Sequence, residues 1–126
     1  IKADLRYCRL DFAQLQNAKM YGAAFFRANI WNANLSNCQL QEANFAQAML
    51  INVRLQGANL QGANLRDANL SEAQFDTTTI LPDAEWDIEK KDFTSYWQPS
   101  TDISRFTDSN HPNFWDPCEV KRWYCE

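Results

Sequence analysis

Every fifth residue from Leu5 to Ile80 is large and apolar: Leu5, Leu10, Leu15, Met20, Phe25, Ile30, Leu35, Leu40, Phe45, Leu50, Leu55, Leu60, Leu65, Leu70, Phe75 and Ile80. Two places before each stands a small residue. Alanine fills twelve of these sixteen positions (3, 13, 18, 23, 28, 33, 43, 48, 58, 63, 68 and 73), and Cys8, Cys38, Val53 and Thr78 fill the other four. The slot between small and large is often asparagine, at 29, 34, 44, 59, 64 and 69. A period of five fits neither regular element. On an α-helix, steps of five advance about 500°, so the large residues would wander over every face. On an unbroken strand, an odd spacing sends successive large residues to opposite faces. Only a chain that turns every five residues keeps all sixteen pointing the same way. Small and large residues then share the inner side of a short extended segment, and the polar residues make the corner. Self-similarity at so short a period is the mark of a stacked-coil solenoid.

Stretches such as GANLQGANLRDANL (57–70) resemble the A-[DN]-L-x-x consensus of the pentapeptide-repeat proteins, and the resemblance runs through residues 1–80. It implies an all-β fold, a right-handed quadrilateral β-helix in which four pentapeptides complete one coil. Sixteen repeats then make about four coils, with residues twenty apart stacked about 4.8 Å from one coil to the next. The expected ladders are Leu5/Phe25/Phe45/Leu65, Leu10/Ile30/Leu50/Leu70, Leu15/Leu35/Leu55/Phe75 and Met20/Leu40/Leu60/Ile80. At about 1.5–3 kcal/mol per fully buried side chain, this column is the main favourable term in folding.

Composition changes at Leu81-Pro82-Asp83, which divides a repeat domain (1–80) from an acidic, aromatic and mostly irregular C-terminal extension (81–126). All four prolines and four of the five tryptophans lie in the extension, which holds ten acids against five bases; the repeats hold seven bases against six acids. Nine aromatics in 46 residues are too many for a free linker. TDISRFTDSNHPNFWDP (101–117) is similar to C-terminal extensions of bacterial pentapeptide-repeat proteins. Trp86, Phe93, Trp97, Phe106, Phe114 and Trp115 are expected to fold over the last coil as a cap, the alternative being a second binding arm. At the other end, Ile1 and Lys2 fill the last two slots of a repeat. The column is therefore expected to be covered there by more chain or by a partner. No leader pattern is visible, so a signal peptide is expected to be absent or removed.

The residues offer little chemistry. His111, the one histidine, has no motif neighbours and reads as structural. Asp83, Glu85 and Asp87 read as a solvated acidic strip. Gly22, Gly57 and Gly62 occupy corner slots, not a phosphate-cradling loop. Cys8 and Cys38 take the small inner slot on opposite walls, and Cys118 and Cys125 lack metal-site spacing. No catalytic residue, cofactor, metal or small-molecule substrate is expected, and no apolar run is long enough for membrane insertion. The net charge of −4 and the scattered basic residues argue against nucleic acid. Localisation is unmarked. The cytoplasm is favoured, unless Cys118 and Cys125 are bridged, which would indicate an oxidising compartment.

Stacking the outward slots twenty apart places Phe26 above Ala46, Trp31 above Ile51 and Asn29 above Met49, with Ala24 alongside. Ala24, Phe26, Trp31, Ala46, Met49 and Ile51 thus form an outward apolar patch that spans adjacent sides of coils two and three, with the Arg27/Gln47 corner between the two sides. Such patches usually mark an interaction, here with a protein partner, a second copy of the chain, or the aromatic extension folding back. Tyr7 should stack above Arg27. The sequence is read as a non-catalytic interaction or scaffold module; the alternative is a structural solenoid segment of a larger protein. One subgroup of the family mimics DNA and binds gyrase, but the outer rows here lack its acids.

Overall fold

The computed structural model describes residues 2–120. Each pentapeptide closes on a tight turn: Cys8 N–H donates to the Leu5 carbonyl (3.2 Å), Ala13 N–H to Leu10 (3.0 Å), and the bond recurs to Ala73 and Leu70. The third residue of each turn has positive φ, from Tyr7 (62°) and Phe12 (64°) to Glu72 (58°), the type II signature. This left-handed conformation suits Gly, Asn and Asp, which hold eight of the fourteen corners from 7 to 72 (17, 22, 32, 37, 52, 57, 62 and 67). At Gly57 the demand is double. Its φ is +71°, and a Cβ there would stand 2.1 Å from Asn37 Oδ1.

Coils are joined by parallel one-residue bridges between positions twenty apart, four to a coil: Asp4–Ala24, Arg9–Asn29, Gln14–Asn34 and Lys19–Gln39 start the series. Leu5 N–H donates to Ala24 O, Ala24 N–H to Ala3 O and Tyr7 N–H to Phe26 O, at 2.8–3.0 Å. The column is four-sided because four such bridges recur before the chain returns above itself. Its sides are too short to count as strands. The middle-slot asparagines brace the corners. Oδ1 of Asn34, Asn44, Asn59, Asn64 and Asn69 each accepts the N–H two residues ahead, at 3.0 Å, a local side-chain turn open only to short polar residues.

Every small and central inner residue from Ala23 to Leu65 is buried, while Leu5, Leu10, Leu15 and Met20 of the first coil are only partly so. Ala63 has no exposed surface, so Ala63→Leu is expected to overpack its rung and cost about 1–3 kcal/mol. A urea melt checks this, and a loss under about 0.5 kcal/mol, the size of an ordinary surface change, would contradict the inner placement. Cys38, in the same slot, donates from Sγ to Leu15 O (2.9 Å), and burial pushes its thiol pKa up. Cys8 and Cys38 are free thiols; Cys125, half of the other suggested pair, lies outside the described residues.

The last rung departs from the expected register. Asn59 bridges Ile80, twenty-one residues on, so one extra residue enters after Phe75. Leu81, not Ile80, occupies the central slot (4% exposed), and Thr79, not Thr78, takes the small slot (0%). Asp76 builds the altered turn. Its Oδ1 accepts bonds from Gly57 N–H, Thr78 N–H and Thr78 Oγ, and the Thr78 hydroxyl above all holds its pKa below the usual carboxylate range. Thr79 Oγ, now inside, donates to Leu55 O (2.8 Å), as the Cys38 thiol does to Leu15.

Beyond Leu81 the chain makes a two-residue antiparallel hairpin, β1 (Trp86–Asp87) and β2 (Asp92–Phe93), then α1 (Ser104–Thr107) and α2 (Pro117–Val120). Residues 95–97 return antiparallel along the last rung: Leu81 N–H donates to Ser95 O, Trp97 N–H to Thr79 O, and Ile80 bridges Tyr96. Phe106 of α1 is buried in the same cluster as Leu81, with Trp97, Ile103 and Trp115 packed against it. Trp97 stacks on Phe75 (6.1 Å, 14°). Not all the expected capping aromatics lie there. Trp86 is 54% exposed, and it meets Phe93, its partner in the hairpin, edge-on at 5.1 Å.

Candidate functional site

The six residues expected to form the outer patch come together as the twenty-residue stacking requires. Ala24 bridges Asn44 and Asn29 bridges Met49. Arg27 N–H donates to Ala46 O, and Asn32 N–H to Ile51 O, fixing the corners after Phe26 and Trp31 over those of the next coil. Ala24, Phe26, Ala46, Met49 and Ile51 are half-buried, and Trp31 is 42% exposed.

Phe26 is less open than its slot suggests. The Tyr7 ring meets it edge-on at 5.8 Å and 84°, and the Arg27 guanidinium lies over it at 5.6 Å. Arg27 Nε is held by Gln47 Oε1 at 2.8 Å. Tyr7 and Arg27, expected to stack on one another, thus both lean onto Phe26. Such a sandwich stabilises by about 0.5–1 kcal/mol at an exposed site.

The patch extends upward through two residues of the first coil. Tyr7 is 64% exposed and Phe12 is 67%. Phe12 was absent from the expected patch, though the sequence carried its signal: an aromatic in a corner slot that suits Gly, Asn or Asp. A bulky residue at φ 64° is held in a conformation that costs about 1–2 kcal/mol for an L-residue. Phe12 N–H donates to Trp31 O, which sets the Phe12 corner directly over that following Trp31. The surface therefore runs from Tyr7 and Phe12 through Phe26 and Trp31 to Met49 and Ile51. Within it Asn29 departs from the other middle-slot asparagines: its Oδ1 is buried with no hydrogen-bond partner.

Acidic charge stays at the margin, while the Arg27 guanidinium lies over Phe26 within the patch. Asp4 forms a fork with Arg6 (2.8 Å to both Nε and Nη2), which lowers the Asp4 pKa to about 2. Asp11 stands 3.8 Å from Arg9. Two of the six repeat-domain acids are thus matched to arginines, which leaves the outer rows without a continuous acidic stripe.

His111 makes no catalytic pair. Its Nε2 lies 2.9 Å from Asp102 Oδ2, its Nδ1 accepts Asn113 N–H, and the Ser104 hydroxyl turns to Asp102 Oδ1 and not to the imidazole. Both ring nitrogens are used in holding a loop, so no nucleophile–base contact exists here. Ser104 and then His111 lower the Asp102 pKa. Among the described residues no group of three His, Cys, Asp or Glu side chains is placed to hold a metal ion, and no helix is long and apolar enough to cross a membrane.

Asp83 does not belong to a solvated strip. Its side chain is 20% exposed and meets Arg105 at 2.9 Å, which ties the start of the extension to α1. Beside it, where the side carrying Tyr21, Gln41 and Gln61 meets the extension, lies a half-open cavity of about 460 Å³. Sequence reasoning had no access to it, because its walls come from three coils and from segments 82–85 and 115.

The model of the family described as pentapeptide repeats matches residues 1–32, 32–67 and 50–79, in 8 copies. The chain belongs to the pentapeptide-repeat family. Membership carries the right-handed, quadrilateral β-helix, in a family that is typically non-catalytic and structural. Among solved structures, this pentapeptide-repeat chain is similar to a pentapeptide repeat protein of the Arabidopsis thaliana thylakoid lumen, with 32% identity and a TM-score of 0.56 over 62% of this chain and 57% of that one. It is similar as well to HetL of the cyanobacterium Nostoc, a protein involved in heterocyst differentiation regulation (34% identity, TM-score 0.43, 64% of this chain and 41% of HetL). A second Nostoc pentapeptide repeat protein matches at 34% identity and a TM-score of 0.38, over 71% of this chain and 82% of that one. The chain spans little more than half of the thylakoid-lumen protein. No curated protein matches it.

Proposed function

We propose that this pentapeptide-repeat chain is a non-catalytic protein-interaction module that binds through Tyr7, Phe12, Phe26, Trp31, Met49 and Ile51. The observation that carries this reading is Phe12. It stands 67% exposed in a left-handed corner, where its backbone is strained and its ring gains almost nothing from folding. Strain held at an exposed aromatic is what a binding role supplies a reason for. Aromatics, Met and the central Arg27 match the composition of interface cores, in which these residues are enriched.

Phe12→Asn is therefore expected to stabilise the fold by about 1 kcal/mol, by relieving the corner, and to weaken partner binding. Sedimentation of the purified chain first tests whether the partner is a second copy. A photo-crosslinking residue at position 31 then captures any other partner, with wild type, Phe12→Asn and Phe26→Asp/Trp31→Asp compared. Crosslinks and self-association unchanged in both folded variants would overturn the reading.

A further inference from the structure

Among the described residues, the large apolar side chains most open to solvent are Tyr7, Phe12, Tyr21, Trp31, Trp86 and Ile88. Tyr21 is engaged where it stands: its hydroxyl donates to Glu42 Oε2, and Lys2 Nζ lies over its ring at 6.0 Å. The other five lie in two places. Tyr7, Phe12 and Trp31 belong to the aromatic surface, and Trp86 and Ile88 to the hairpin of the extension. Ile88, 80% exposed, sits in the turn between β1 and β2, a place that favours Gly, Pro, Asn, Asp or Ser. Like Phe12, it gains almost nothing from folding.

Charge differs in sign between the two places. Residues 85–92 of the hairpin hold four acids against two lysines, and Glu85 and Glu89 are exposed beside Trp86 and Ile88. No ion pair among the described residues involves either glutamate. On the aromatic surface Arg6, Arg9 and Arg27 face two acids, Asp4 and Asp11. Asp4 takes up Arg6. Arg9 heads the Asn29/Met49 row, its side chain 80% exposed and 3.8 Å from Asp11. Arg27 is held by Gln47, and by no carboxylate among the described residues. Opposite signs of this kind steer and orient an encounter.

The two places cannot meet within one chain. The flanks of the hairpin are paired with each other, Leu81 N–H on Ser95 O and Trp97 N–H on Thr79 O, and Ile80 between them bridges Asn59. The hairpin is thereby fixed to the side formed by the Lys19/Gln39/Asn59 row. Trp31 belongs to the Arg9/Asn29/Met49 row, two sides away, with the column between. Glu85 N–H donates to Thr94 Oγ1 and Thr94 N–H to Glu85 O, both at 2.9 Å, so residues 86–93 have no slack to reach round.

We infer that the aromatic surface of one copy takes the hairpin of a second copy. Trp86 and Ile88 lie against Phe12 and Trp31, with the Glu85 and Glu89 carboxylates toward Arg9 and Arg27. This inference rests on the binding reading of the surface proposed above and names its partner. Two aromatic surfaces face to face would set Arg9 and Arg27 against their own kind, and two hairpins would do the same to Glu85 and Glu89. Each copy carries one hairpin and one surface, and the two differ. The contact is therefore heterologous and continues from copy to copy into a ring or a filament.

Sedimentation of the full chain from micromolar to millimolar concentration should show an average mass that climbs past the dimer. Ile88→Asp, at a position the fold leaves open, should weaken association about tenfold or more, as should Phe12→Asn/Trp31→Asp. Mixing the two variant chains is decisive, each first shown folded by circular dichroism. Phe12→Asn alone, which relieves its corner, replaces the double variant if that does not fold. The Ile88→Asp chain keeps an intact surface and the other an intact hairpin. Their mixture should recover one productive contact and stop at a dimer of one chain of each kind. A surface that pairs with itself would leave Ile88→Asp associating like wild type, which overturns the proposal. So does a mixture that stays monomeric. A wild-type chain that stays monomeric while position 31 crosslinks to another protein also overturns it, and leaves the binding reading of the surface standing. With no crosslink either, both fall.

Discussion

Phe45→Ala is expected to destabilise the pentapeptide column by about 3–5 kcal/mol, the usual cost of emptying a buried phenylalanine site. Phe45 is 1% exposed and lies face to face on Phe25, centroids 4.6 Å apart and planes within 4°. Aromatic pairs left to themselves prefer offset or edge-on contact. Here the coil spacing imposes the stack, since the two rings are the same slot one coil apart. The same constraint keeps the hole from closing. Ala24, Asn44 and Asn64 are joined by bridges along this wall, so the backbone cannot collapse inward without breaking them. Leu5→Ala, on the same ladder but in the half-covered first coil, should cost much less, about 1–2 kcal/mol. Guanidinium melts of both variants check the gradient. Equal losses at the two positions would contradict a core that is deepest in the middle coils.

Phe106→Ala is the second large effect. Phe106 is 1% exposed and comes from the extension, yet it belongs to the cluster of the repeats. One bond ties its helix to the repeats, and two contacts hold it within the extension. Asp67 N–H donates to Thr107 O at 2.8 Å, Arg105 reaches Asp83 at 2.9 Å, and the Trp115 ring meets Phe106 edge-on at 6.2 Å. If the extension caps the column, losing this ring costs about 3–5 kcal/mol in the single unfolding transition of the whole chain. It should also speed amide exchange at Leu81 and Trp97, whose N–H groups are bonded across the junction. If the extension is instead an arm that docks independently, the column melts at its wild-type midpoint. That outcome would remove the capping role.

Much of this was legible in the sequence because a five-residue turn leaves few choices. The fifteen large residues from Leu5 to Phe75 take their slots without exception, and so does the pairing of Phe26 with Ala46 and Trp31 with Ile51. The family follows from the same residues. The error at the last rung has a clear origin. Thr78 is small and Ile80 is large, so both satisfy the template. The alternative, with Thr79 and Leu81 inside, satisfies it equally well on size. What decides is hydrogen bonding: Asp76 Oδ1 holds the longer turn, and the buried Thr79 hydroxyl accepts Asp76 N–H and donates to Leu55 O. Trp86 misled for a related reason, since hydrophobicity marks a residue as needing cover without saying which neighbour gives it.

The sequence by itself determined the period, the corners, the inner ladders to Phe75 and the rows of outward residues, because each depends only on position within five and within twenty. Only the tertiary structure decided the final rung, the docking of Phe106, the leaning of Tyr7 and Arg27 onto Phe26, and the cavity beside Asp83. Each of these arises where the repeat meets something that does not repeat, and there the partner of a side chain is set by three-dimensional closure and not by spacing along the chain.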